Sequence, residues 1–184
     1  MASSKYLALF ESDRPLTGEA SDDLVDMVRR RWQEAGSEVP AVDALVLSAL
    51  LEPVSPGPQV GFTAQWWSDS EPGPVIDLLS GAAPGLRPFV WRVREHVYRR
   101  PVERLTPGSS PDRVNLFGTA RRRHDFTREA FFAYWDDVHA PISSATPGLG
   151  GYVVSEVCEV VTGELVVDGF VELWWPDRDT FDAS

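Results

Sequence analysis

The stretch from Arg121 to Tyr152, RRRHDFTREAFFAYWDDVHAPISSATPGLGGY, decides how the chain reads. Its charged start reads as the end of a strand, its middle as a capped amphipathic helix, and its Pro/Gly turn as the entry to another strand. Thr127 is a suitable N-cap, because a short hydroxyl side chain can accept from a backbone N–H of the first turn. Glu129 places negative charge where the helix dipole is positive. Phe131, Tyr134, Trp135 and Val138 recur at helical spacing and define one apolar face. Pro141 is expected to end the helix, since it lacks an N–H and pushes Ala140 out of the helical region. His139 would then lie in the last turn, about 80° around the axis from Phe131, at the margin of the apolar face and able to look inward.

These residues carry a resemblance. Thr-Arg-Glu-Ala-Phe at 127–131, Tyr134-Trp135, Val138-His139-Ala140-Pro141 and Pro147-Gly148-Leu149 ahead of Tyr152 resemble the EthD-domain signature. The loop before the helix departs from it, with His124-Asp125 where the family has Gly or Pro-Gly. The resemblance implies an α+β fold: two ferredoxin-like βαββαβ units forming a pseudo-dimeric α+β barrel. It leaves the reaction open, because a fold does not fix a function.

Composition narrows the classes. With 43% hydrophobic and 24% charged residues, the chain can bury a core. A net charge of −11 and a pI near 4.6 argue against nucleic acid as a partner, since phosphate binding needs a basic surface. Arg29-Arg30-Arg31 and Arg121-Arg122-Arg123 read as solvated element ends. Cys158 is the only cysteine, which rules out a disulfide within the chain. Together with three scattered histidines, His96, His124 and His139, it gives no zinc-site spacing, and no metal is expected. Lys5 is the only lysine, so a buried Schiff-base lysine is not expected. The first residues lack an export signal and no apolar run approaches the length of a membrane span, which makes the cytoplasm the expected location.

In chain order, strands are expected at 5–11, 42–51, 60–67 and 88–99. Helices are expected from Ser21-Asp22-Asp23 to Gly36 and from Pro74 to Leu79, with a turn at 53–58. That is β-α-β-β-α-β over residues 1–105. Thr106 to Asp112 has the composition of a linker. The order then starts again over 113–184: strand 113–120, helix 127–139, strands 151–159 and 169–175, and a helix start at Asp177. Trp66-Trp67 and Trp174-Trp175 close the third strand of each half, which suggests an internal duplication in register. The second unit stops short of its last strand. An unpaired sheet edge invites association, so a homodimer is expected.

The chemistry is expected around the helix end. An imidazole titrates nearest to neutral pH, so His139 is the first candidate for acid–base work, as a general acid or oxyanion donor. Asp136 and Tyr152 would assist it. Phe131, Trp135, Asn115, Phe117, His124, Trp174 and Glu172 are the candidate substrate-binding residues, supplying aromatic walls with a few polar groups. Sheet alternation also puts Arg92, Arg94 and His96 on one face. No phosphate loop, dinucleotide fingerprint, zinc-protease motif or nucleophile elbow occurs.

The expected function is therefore a cofactor-independent enzyme acting on a hydrophobic, aromatic or polyketide-like small molecule. Proton transfer alone would drive a dehydration, cyclisation, isomerisation or decarboxylation. The resemblance implies a catabolic or secondary-metabolite setting and lyase or cyclase chemistry. The alternatives are a non-catalytic binding or accessory protein, a cofactor-less monooxygenase, and a haem protein ligated through His139.

Overall fold

The computed structural model describes residues 3–14, 16, 18–36, 41–49, 59–100 and 113–184. The expected turn at 53–58 and linker at 106–112 lie outside these residues. Among the described residues the chain forms two compact units, Met1–Val93 with Cys158–Leu165, and Arg94–Val157 with Val166–Ser184. Both are α+β.

The first unit contains strand β1 (Ser4–Ser12), helix α1 (Gly18–Ala35), strands β2 (Ala44–Ala49) and β3 (Gln59–Ser68), helix α2 (Gly73–Ala82) and the start of β4 (Arg87–Arg99). The hydrogen-bonded order is β2-β3-β1-β4, antiparallel throughout for β2·β3, β1·β3 and β1·β4. This is the βαββαβ arrangement read from the sequence. Alternation sorts β1 into two linings. Tyr6, Ala8 and Phe10 join Phe62, Ala64, Trp66 and Val90 in a core shared with Val25 and Val28 of α1 and Val75 and Leu79 of α2. Phe10 stacks on Phe62 at 4.3 Å and Tyr6 on Trp66 at 5.3 Å. Burying each such side chain contributes about 1.5–3 kcal/mol.

α1 begins three residues earlier than its expected cap. Ser21 lies inside the first turn, where its hydroxyl donates to the Gly61 carbonyl of β3. A serine placed to cap a helix instead fastens it to the sheet.

The second unit continues β4 and adds strand β5 (Val114–Ala120), helix α3 (Arg128–Tyr134), a π-helical turn (Trp135–His139), helix α4 (Ala140–Ser144), strands β6 (Gly151–Thr162) and β7 (Gly169–Trp175), and helix α5 (Arg178–Asp182). Its order is β4-β6-β7-β5, and β7 pairs antiparallel with both β5 and β6. The core gathers Phe132, Trp135, Ala140, Leu149, Tyr152, Val154 and Trp175. The contact boundaries fall within β4 and β6, whereas the repeat read from the sequence divides at residues 106–112.

Two expectations change. Pro141 does not end the helix, which runs on to Ser144 as α4. The π turn lets Ala140 N–H bond the Trp135 carbonyl, five residues back, so that Pro141 falls within the first turn of α4, where its missing N–H costs nothing. The tryptophan pairs are also out of register by one residue. Trp66 faces the helices in the first unit, whereas Trp175 does so in the second. A one-residue slip exchanges sheet faces, so the pairs mark the same strand end without being equivalent side by side.

Candidate functional site

On the helix side of the second unit, the Thr127 hydroxyl accepts the Ala130 N–H at 3.1 Å and fixes the start of α3. The π turn then presents Trp135 and Asp136 to the sheet. Trp135 Nε1 donates to the Tyr152 hydroxyl at 2.7 Å, and Tyr152 is 0% exposed. The Tyr98 hydroxyl of β4 donates to Asp136, and its ring lies 5.0 Å from that of Tyr152. Burial, then the hydrogen bond and charge of Asp136, push the Tyr98 phenol well above its ordinary range. Burial likewise raises Tyr152, against the hydrogen bonds from Trp135 and Ser143. Both phenols stay protonated at neutral pH.

The same network continues to a buried carboxylate. Glu156 of β6 is 5% exposed. It accepts from Arg94 Nε at 2.9 Å and Arg128 Nε at 2.9 Å, and His96 Nε2 lies 3.1 Å away. Burial alone would raise its pKa, but hydrogen bonds from Arg94, His96 and Arg128 outweigh that and hold it below the usual carboxylate range. Arg128 also donates to the Val157 carbonyl, and His96 Nδ1 stands 4.0 Å from Asp136. One carboxylate thus ties β4, β6 and α3 together.

His139 takes a different position from the one expected. It is exposed, with Nε2 3.2 Å from the Ser143 hydroxyl and its ring edge-on to Trp135 at 4.7 Å. The extra residue of the π turn rotates later side chains by about 100° relative to an uninterrupted α-helix, which turns His139 toward solvent. His124 is also exposed, in the turn before α3.

The opposite sheet face holds a second set. Pairing places Asn115 beside Trp174, Glu172 between Phe117 and Val153, and Phe170 between Thr119 and Ser155. Phe117 stacks on Phe170 at 5.6 Å. Glu172 is 2% exposed, and Asn115 Oδ1 is buried with no hydrogen-bond partner. Tyr152 and Val153 are consecutive, so they leave the strand in opposite directions. The sheet therefore separates the expected residues into two groups. Phe131, Trp135, Asp136 and Tyr152 come together on the helix side with His139 at their rim, and Asn115, Phe117, Glu172 and Trp174 line the other face.

Sequence reasoning missed the Glu156 cluster and Tyr98. The signal available was the alternation Arg92, Arg94, His96, which extends to Tyr98, together with Glu156 set among the valines of β6.

The Pro147-Gly148-Leu149 motif serves the fold. Gly148 has φ +69°, and a Cβ there would stand 2.5 Å from Thr180 Cγ2 of α5. Leu149 is buried, and Trp175 Nε1 donates to the Pro147 carbonyl at 3.4 Å. Among the described residues no group of three or more His, Cys, Asp or Glu side chains could hold a metal ion, and no helix is long and apolar enough to cross a membrane.

No curated protein is found to match the chain. Among solved structures, a mutant chlorite dismutase from Candidatus Nitrospira defluvii in complex with cyanide aligns at 12% identity with a TM-score of 0.49, covering 98% of this chain and 79% of that one. The EthD-domain family model matches residues 123–184. The matched segment runs from the loop before α3 to Ser184 and contains Trp135, His139, Pro141, Pro147-Gly148-Leu149 and Tyr152, the residues that carry the resemblance: this part of the chain is similar to the EthD domain.

Proposed function

We propose that the second unit is a cofactor-independent enzyme that binds a flat, apolar small molecule on the β5–β7–β6 face and moves a proton with Glu172. The supporting observation is the conjunction, on one aromatic face, of a buried carboxylate with the orphaned amide oxygen of Asn115. A buried acceptor without a donor costs free energy, which a ligand hydroxyl or N–H would recover. Phe117, Phe170 and Trp174 supply the surface for a ring. A carboxylate at that ring's edge serves as a general base toward a carbon acid, or as an acid once protonated.

The reaction class is proton transfer next to a carbonyl, leading to isomerisation, dehydration, cyclisation or decarboxylation of an aromatic or polyketide-like ketone. The second face keeps the helix in place: Trp135, Asp136 and Tyr152 position α3 and α4, and His139 packs on Trp135. A homodimer and a cytoplasmic location belong to the same proposal.

The test uses 2-tetralone as a probe ketone in D2O, with deuterium uptake at its α-carbon followed by mass spectrometry. Wild type should accelerate uptake over buffer and over Glu172→Gln, while both proteins bind the ketone with similar affinity. Binding without accelerated uptake would favour the accessory-protein reading. Acceleration that survives Glu172→Gln but is lost in His139→Ala would return the chemistry to the helix end.

A further inference from the structure

The three arginines at the end of α1, expected to be alike as a solvated helix end, are not equivalent. Arg29 pairs with Asp26 at 2.8 Å and Arg31 with Glu34 at 3.7 Å, each within one helical turn. Arg30, between them, is exposed and has no carboxylate partner among the described residues. It stands on the wall of a groove in the first unit.

The groove has a volume of about 880 Å3, within the range of about 300–1,000 Å3 that small-molecule sites occupy. Ala20, Leu24 and Met27 line it from α1, at spacings of four and three residues that keep them on one helix face. Leu16, ahead of α1, and Pro84 and Leu86, in the connection from α2 to β4, complete the apolar lining. Leu16, Leu24, Met27 and Leu86 are half-buried, so this surface is reachable by a ligand. No aromatic side chain lines the groove. Branched aliphatic chains and a flexible thioether suit an alkyl chain better than a flat ring.

The packing beneath the groove is fixed. Ser21 of α1 donates to the Gly61 carbonyl of β3, which fastens the helix beside the sheet. A Cβ at Gly61 would stand 2.8 Å from Leu86 Cδ1 and 3.1 Å from Leu16 Cδ1, so both leucines rest against the glycine.

Charge gives the groove a direction. The Asp26 carboxylate that lines it is neutralised by Arg29. Asp23 and Arg30 remain, seven residues apart on α1, which separates them by about 10 Å along the helix. An anionic head group is attracted at the Arg30 end and repelled at the Asp23 end.

We propose that this groove binds a free aliphatic carboxylate of medium chain length, its head group on Arg30 and its chain along Met27 and Leu24 toward Leu16 and Leu86. Every residue of the site belongs to the first unit, so it stands or falls independently of the proton-transfer reading.

The probe is octanoate, with neutral octanamide as the charge control, titrated into the full chain. Met27 and Met1 are the only methionines, so labelling with methionine carrying a 13C methyl group gives Met27 its own signal and Met1 as reference. Octanoate should shift the Met27 signal to saturation with one equivalent bound and leave Met1 in place. Octanamide should bind roughly fivefold more weakly, the scale of one exposed ion pair. Arg30→Gln, a change at an exposed position, should bring octanoate down to the affinity of octanamide. Arg31→Gln, outside the lining, and Glu172→Gln, in the other unit, should both leave octanoate binding unchanged. An unmoved Met27 signal, equal binding of the two probes, wild-type octanoate affinity in Arg30→Gln, or loss of binding in Glu172→Gln would overturn the proposal.

Discussion

Glu156 is the residue on which the second unit turns, because its one carboxylate on β6 holds an arginine and a histidine of β4 and an arginine of α3. Its side chain is almost fully buried, while Arg94 keeps 66% of its own exposed. Glu156→Gln therefore strands partners that water can partly reclaim, and the cost should be about 1–3 kcal/mol by urea denaturation. The pH dependence has a definite sign. A carboxylate whose folded pKa is depressed contributes stability above its unfolded value, near 4.3, and loses it as pH falls through the folded value. Wild type should thus lose stability more steeply than Glu156→Gln below about pH 4.5. Parallel acid limbs for the two proteins would show that the carboxylate contributes no linkage. Tyr152→Phe is a separate case: it removes the acceptor for a buried indole N–H and should cost about 1–3 kcal/mol. Little of this was legible in the sequence. Thr127 and Asp177 were, because each cap closes within three residues. Glu156 meets Arg94 and His96 across 62 and 60 residues of chain, a separation that no local pattern encodes.

The α3–π–α4 element shows why a helix can be placed from sequence while its inner register escapes. Its cap and following Pro-Gly turn were readable, but the buried face was not the one expected: Trp135 is buried, Tyr134 and Val138 are exposed, and Phe132 turns inward instead. The π turn was not readable, because proline chemistry alone predicts a stop at Pro141. The helix continues because the turn is anchored on its inner side, by Trp135 to Tyr152 and by Asp136 to Tyr98. If those anchors set the register, Pro141→Ala alone should leave the π turn intact and change stability by no more than about 1 kcal/mol. Adding Tyr98→Phe and Tyr152→Phe should let the segment rewind toward regular α-helix. The amide of Ala140 reports the difference, since its acceptor would move from the Trp135 to the Asp136 carbonyl. Hydrogen exchange and backbone chemical shifts that changed in Pro141→Ala alone would assign the π turn to the proline. This register also decides where the helix-end histidine sits, because the rotation it introduces leaves His139 in solvent.

At the scale of the whole molecule, charge opposes folding in a way that composition already shows. The net charge of −11 leaves many carboxylates without a cationic counterpart. Compact folding brings these like charges together, whereas unfolding spreads them. The surface ion pairs act in the other direction. Arg29–Asp26 and Arg178–Asp182 are largely exposed pairs at 2.8–2.9 Å, each worth no more than about 1 kcal/mol before screening. Added salt weakens both effects, and the sign of its net action says which is larger. With so many unmatched negative charges, repulsion should dominate at pH 8. Raising ionic strength from about 10 mM to about 150 mM shortens the screening length from about 30 Å to about 8 Å, and Tm should rise by a few degrees. Near pH 4.6, where the net charge vanishes, the same salt step should leave Tm unchanged or lower it. A fall in Tm with salt at pH 8 would reverse the ranking and make the ion pairs the larger contribution. Glu156 separates local from global electrostatics in this experiment. Its carboxylate is buried among its partners, so salt reaches it poorly, and Glu156→Gln should shift Tm by a similar amount at both ionic strengths.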